Sequence, residues 1–172
     1  MKRHFQYLAE LVVVLILAVA IVGTAYATGS SITMTYNNAS GDNAGRPTIV
    51  IEWVSDSALG YVYTSEGVNV TKVPADFDTL VAGKDILLGV TDPDATDAPT
   101  DNYDGRVFDE YGCDMFGGAL NDRDQTNSEQ MMPYIDPVNY VAGIRTITDT
   151  IYPAFLNTGN SKKGKLVLHL NR

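Results

Sequence analysis

Apolar residues recur at every second position along most of this sequence after residue 30, and this alternation limits the possible folds most strongly. Ile32, Met34 and Tyr36 alternate with threonines, and other stretches repeat the pattern. Successive side chains of a β-strand point to opposite faces, so this period predicts strands that are buried on one face. The alternating stretches are residues 32–36, 49–53, 61–63, 68–70, 86–90 and 165–170.

Turn-forming residues separate these stretches, and residues 106–110 and 140–151 are two further strand candidates. After residue 30, helix is predicted only as single turns within residues 74–81 and 127–132. About eight short strands therefore favour a mainly β fold, either an antiparallel β-sandwich or a jelly roll. We divide the chain into residues 28–47, a linker with the first strand, and residues 48–172, a β-sandwich domain.

An uncharged apolar stretch precedes the strands. Lys2 and Arg3 come before residues 11–27, which would form a helix about 25 Å long and longer when counted from Phe5. This length approaches the roughly 30 Å of a bilayer core, so residues 1–27 are predicted to be an N-terminal transmembrane anchor. The residues expected to contact lipid are Leu11, Val12, Val13, Val14, Leu15, Ile16, Leu17, Val19, Ile21 and Val22.

Two other interpretations of this stretch stay open. Ala25-Tyr26-Ala27 matches a signal-peptidase site, so the segment could instead be a cleaved export signal. Residues 10–14 resemble the start of a type IV pilin helix, but Phe5 and Gln6 occupy the stretch where pilins are cut. Residues 28–31 would also break such a helix.

Charge and composition disfavour several function classes. The chain has 172 residues with 12 basic and 21 acidic side chains, so its net charge of -9 should repel nucleic acids. One cysteine and two histidines cannot supply a disulfide framework or a histidine metal cluster. Cys113 is expected to be a small buried residue, and no residue set indicates an enzyme. We expect neither a cofactor nor a small-molecule substrate.

Two aspartate-rich loops resemble calcium-binding loops in part. Their carboxylates lie two or three residues apart, as ligands of hard cations do. Neither loop combines the central glycine and the twelfth-position glutamate of an EF-hand, so we expect ordinary aspartate-rich turns. The candidate ligands are Asp92, Asp94 and Asp97 in one loop and Asp122 and Asp124 in the other.

Several sequence strings resemble those of small, uncharacterised phage virion-type β proteins. The strings are residues 99–104, 109–114, 117–124, 126–130 and 157–164, and the resemblance spans roughly residues 48–170. It implies a structural role and no catalytic or ligand residues. The apolar N-terminus departs from that pattern, as do Cys113, Met115 and Phe116, where smaller or aliphatic residues are expected.

Together, the resemblance and the anchor predict a non-catalytic protein of a phage virion that links an internal lipid membrane to the capsid shell. Its partners would be the bilayer, capsid or other virion proteins, and further copies of itself. The alternative is a membrane-tethered or secreted cell-surface adhesin or a pilus-like filament subunit. A carbohydrate-binding module is a weaker possibility, for which Trp53, Tyr61 and Tyr63 are the candidate aromatic residues.

Overall fold

A computed structural model of the chain describes residues 30–38, 45–57, 60–63 and 69–171. These residues are mainly β, with twelve strands and one short helix. The strands are β1 (Ser31–Asn37), β2 (Thr48–Val54), β3 (Val62–Tyr63), β4 (Asn69–Val73), β5 (Asp85–Pro93), β6 (Asp104–Phe108), β7 (Glu129–Met131), β8 (Tyr134–Asp136), β9 (Val141–Ala142), β10 (Arg145–Thr146), β11 (Tyr152–Leu156) and β12 (Lys163–Leu170), and the helix α1 is Phe77–Val81.

The largest unit is a curled seven-stranded sheet. Its strand order is β10-β5-β12-β2-β1-β4, and β7 lies beside β10 along the same edge of β5. The first strand, β1, lies inside this sheet because it pairs with both β2 and β4. All pairs are antiparallel except β1 with β4, which is parallel. The expectation of purely antiparallel pairing was therefore wrong for this pair.

A three-stranded sheet, β3-β11-β6, contacts the large sheet through aromatic residues. Trp53 of β2 stacks on Phe155 of β11 at 4.8 Å between ring centroids and lies 5.9 Å from the ring of Tyr103. Because stacked aromatic rings bury large apolar areas, this cluster holds the two sheets together. A further sheet within the described residues is a separate hairpin of β8 and β9.

The predicted alternation is confirmed where it was most regular. In β1, β2 and β12 every second residue is buried in the core, while the residues between them are exposed or half-buried. The buried members of these strands are Ile32, Met34, Tyr36, Ile49, Ile51, Trp53, Leu166, Leu168 and Leu170. Burial of one strand face is what the period of two requires.

Other predictions need correction. Residues 127–132 hold strand β7 rather than a helical turn, because Glu129–Met131 pair with β5. The predicted strand at 140–151 is interrupted and forms only β9 and β10. Cys113 is exposed in a turn rather than buried. Helix α1 does lie within the predicted range 74–81.

The predicted membrane anchor, residues 1–27, lies outside the described residues. Among the residues that the structure describes, no helix has the length and apolar composition needed to cross a bilayer.

Candidate functional site

The first aspartate-rich loop uses its carboxylates to bind its own backbone and two lysines. Asp94 accepts the backbone N–H groups of Thr96 and Asp97 at 2.9 and 2.8 Å, and these bonds lower the pKa of the Asp94 carboxyl. The other two carboxylates contact the last strand instead. Asp97 pairs with Lys163 at 2.6 Å, and Asp92 lies 3.4 Å from the ammonium of Lys165.

The second loop is also held by internal hydrogen bonds. Asp124 accepts the side-chain amide and the backbone N–H of Asn127, and also the backbone N–H of Thr126, which keeps its pKa well below the ordinary value. Asp122 lies at a positive φ of 54° and donates its N–H to Asp104. Over the described ranges, no three His, Cys, Asp or Glu side chains are placed to hold a metal ion.

A shallow groove of about 300 Å³ crosses the outer face of the large sheet. Glu52 and Lys165 lie opposite each other in its floor, and Asp92 follows on the next strand. Charges of both signs therefore alternate across the groove. Lys163 and Lys165 on the last strand contact Asp97 and Asp92, so these opposite charges partly compensate each other within the molecule.

The most distinctive surface is the segment 132–144, which we call the apolar hairpin. It contains strands β8 and β9, and Asp136 is the only charged residue in its sequence. Val138 and Tyr140 at its tip are 81% and 71% exposed. Its other exposed large apolar residues are Met132, Ile135, Val141 and Ile144. Exposed apolar side chains that are concentrated in one short segment mark an interaction site more often than isolated apolar residues do.

The tip of the apolar hairpin is a preformed turn. The Asp136 carboxylate accepts the backbone N–H groups of Val138 and Asn139 at 3.0 and 3.1 Å. It also accepts the Asn139 side-chain amide at 2.7 Å. These hydrogen bonds, the Asn139 side chain foremost, lower the pKa of Asp136. Tyr140 follows at a φ of 55°, so the turn holds two large side chains in solvent with a defined backbone.

The base of the hairpin is attached to the body of the molecule. Tyr134 donates its N–H to the Phe116 carbonyl at 3.0 Å, and its own carbonyl accepts the Arg145 guanidinium at 3.0 Å. The Tyr134 ring also meets the Tyr140 ring edge to face at 5.6 Å. A two-stranded hairpin is marginal by itself, so these contacts are what position the tip.

Strand registers place the apolar hairpin far from the beginning of β1. Ser31 aligns with Val54, at the end of the sheet where Gly164 pairs with Pro93. The hairpin leaves the sheet between Met131, opposite Gly89, and Arg145, opposite Ile86. Strands β2, β12 and β5 lie between β1 and the edge from which the hairpin leaves, and the hairpin leaves near the end of these strands that is away from Ser31.

The sequence did not reveal this surface. Alternation in residues 140–151 pointed to one buried strand, whereas the glycine and the turn residues divide it into exposed pieces. The aromatic cluster proposed for sugar binding is also not assembled on a surface, because Trp53 is only 2% exposed and belongs to the core.

Comparisons with known proteins leave the function to be argued from the chain itself. No protein-family model, no curated protein and no solved structure matches this chain.

Proposed function

We propose that this chain is a non-catalytic, membrane-anchored structural protein of a phage virion, which links an internal lipid membrane to the capsid shell. The apolar hairpin is the observation that carries the proposal, because it offers a protein-binding surface on the β-domain. The sequence resemblance to phage virion-type β proteins supports the virion setting, and the apolar segment 1–27 supports the membrane attachment.

The chemistry of the hairpin suits a protein partner. The cores of protein interfaces are depleted in charged residues and enriched in tyrosine, and Tyr140 projects from a tip whose single carboxylate is occupied by its own turn. A tip that is already folded loses little conformational entropy when it binds. Val138 and Tyr140 are therefore the residues that we expect to dominate binding to a pocket of a capsid protein.

The position of the hairpin supports a linking role. If the segment that precedes Ser31 enters the bilayer, the hairpin leaves the sheet near the strand ends that are away from that segment. We further propose that the large and small sheets, which meet at Trp53 and Phe155, form the sandwich of a virion-type β domain. In such a molecule one end would bind lipid and the other would bind protein.

Fractionation of the native source tests this function. The full chain of 18.6 kDa is expected in purified particles that contain bilayer lipid, detected by mass spectrometry of the intact protein. A chain that starts at Thr28 and is free of lipid would contradict the anchor. Recovery in cell-envelope or pilus preparations, and not in particles, would favour the alternative of a cell-surface adhesin or filament subunit.

A further inference from the structure

Strand β4 is the longest sheet edge that the described residues leave uncovered. Along the other edge of the large sheet lie only β7 and β10, which are three and two residues long. The outer edge of β6 is covered, because Gly105 donates its N–H to the Leu120 carbonyl and Met115 donates to that of Val107. In the described part of the chain, β1 alone pairs with β4. An uncovered edge is a template for another strand.

The lysine that would normally protect such an edge is turned away from it. The Lys72 ammonium donates to both carboxylate oxygens of Asp78, at 2.7 and 2.8 Å, and to the Thr150 hydroxyl at 2.9 Å. Edge lysines discourage strand pairing when their charge is free to meet an incoming strand. Here the charge is neutralised against the body of the molecule, so it does not block the edge.

The exposed residues of β4 are uncharged, which is unusual in a chain with a net charge of -9. Asn69, Val70, Thr71 and Val73 are all exposed, and the two valines are 38% and 42% exposed. The strand itself offers no carboxylate with which a basic partner could pair. Two copies of this acidic chain, in contrast, can approach along β4 without bringing carboxylates of the strand together.

We propose that a second copy of this chain pairs with β4 in the antiparallel direction, centred on Thr71, so that two large sheets become one continuous sheet. A two-fold axis at Thr71 places this residue opposite itself, a cross-strand pair of threonines that is favourable in sheets. Val70 then faces Lys72 of the second copy, whose methylene stem can cover the valine while its ammonium stays on Asp78.

Cysteine cross-linking of the full chain in detergent micelles tests this pairing. In the variant Thr71→Cys/Cys113→Ser, the two cysteines would lie at the α-carbon separation of an antiparallel pair, about 4.5–5.5 Å, which a disulfide can bridge. Mild oxidation should convert most of the chain into a covalent dimer. The matched control is Thr146→Cys/Cys113→Ser, with an exposed threonine at the opposite edge, and it should remain monomeric. Equal cross-linking of the two variants would overturn the proposal.

A charge exchange provides a second, non-covalent test. Thr71→Asp and Thr71→Lys each place like charges opposite each other and should lower the dimer fraction about tenfold in sedimentation experiments. An equimolar mixture of the two variants should form dimers again, which shows that both are folded. A wild-type chain that stays monomeric at about 100 μM, or a Thr71→Asp chain that dimerises normally, would contradict the pairing. Neither result depends on what the apolar hairpin binds.

Discussion

At the scale of single residues, Trp53 and Gly164 show how the core determines a residue type. They are opposite each other in neighbouring strands, and the indole lies over the glycine. A Cβ atom at position 164 would lie 2.7 Å from Trp53 Cζ2 and 3.0 Å from Cε2. Because the indole is also stacked on Phe155, it has little room to move away from an added methyl group.

We predict that Gly164→Ala destabilises the chain by about 1–3 kcal/mol through overpacking. Urea unfolding of the full chain in detergent, followed by the fluorescence of its single tryptophan, measures this change. Gly45→Ala is the control, because a Cβ there would meet no atom within 4 Å, and it should change stability by less than about 0.5 kcal/mol. Equal unfolding midpoints for the two variants would refute the tight contact.

Burial of Tyr103 changes the pKa of its side chain and thereby the pH dependence of stability. Its side chain is fully buried, and burial raises its pKa from 10.0 to about 12. The neutral phenol is thus favoured in the folded state. Its contribution to stability is complete below pH 10 and is lost as the pH rises from 10 towards 12.

Tyr103→Phe should therefore remove part of the alkaline destabilisation, up to about 3 kcal/mol for a shift of this size. The measurement is the free energy of unfolding as a function of pH, from about pH 8 to about pH 12. Tyr111→Phe changes an exposed tyrosine and should keep the wild-type slope. If the free energy of unfolding of Tyr103→Phe falls with pH as steeply as that of the wild type, another group controls the loss of stability at alkaline pH.

At the scale of elements, the turn of the apolar hairpin depends on one carboxylate. Asp136→Ala removes the acceptor of three hydrogen bonds, which are donated by two backbone N–H groups and the Asn139 amide. We predict faster amide hydrogen exchange at Val138 and Asn139, because the turn loses its preferred conformation. The global unfolding midpoint should not change, since the turn is at the surface.

The matched control for this turn is Asp94→Ala, which removes a similar turn elsewhere and should leave exchange in the hairpin unchanged. Acid should lower the protection factors of the Val138 and Asn139 amides, as Asp136→Ala does. Because the pKa of Asp136 is lowered, the ionised turn is complete above the ordinary aspartate pKa of 3.8 and is lost only as the pH falls through the lowered value. Protection factors that already decrease near neutral pH as the pH is lowered would contradict this assignment.

Some strands of the fold could be predicted from the sequence, and others could not. The regular strands β1, β2 and β12 were predicted because their alternation is imposed by local burial on one face. The sequence did not predict that β1 pairs in parallel with β4, nor that residues 140–151 form two separate short strands. Both features depend on contacts between distant parts of the chain. The apolar hairpin was missed for the same reason, because its valines and tyrosine resemble core residues until the structure shows them exposed.

At the scale of the whole molecule, two surfaces at different places have different chemistry. The apolar hairpin projects large side chains from one edge of the large sheet, whereas β4 presents a neutral backbone at the other. A membrane segment, a protein-binding hairpin and a self-pairing edge would together allow the chain to be arrayed between a bilayer and a shell. In this arrangement we propose that the hairpin makes the contact with the shell.

Retention of the chain on detergent-treated particles tests that claim most directly. After the membrane is dissolved, the wild-type chain should stay with the protein shell, whereas Tyr140→Asp should reduce the retained amount about tenfold or more. Aspartate tolerates the positive φ at this position, so the variant should fold. Tyr111→Asp alters a tyrosine outside the hairpin that is at least as exposed, and this variant should be retained like the wild type. Full retention of the Tyr140→Asp chain would contradict the account.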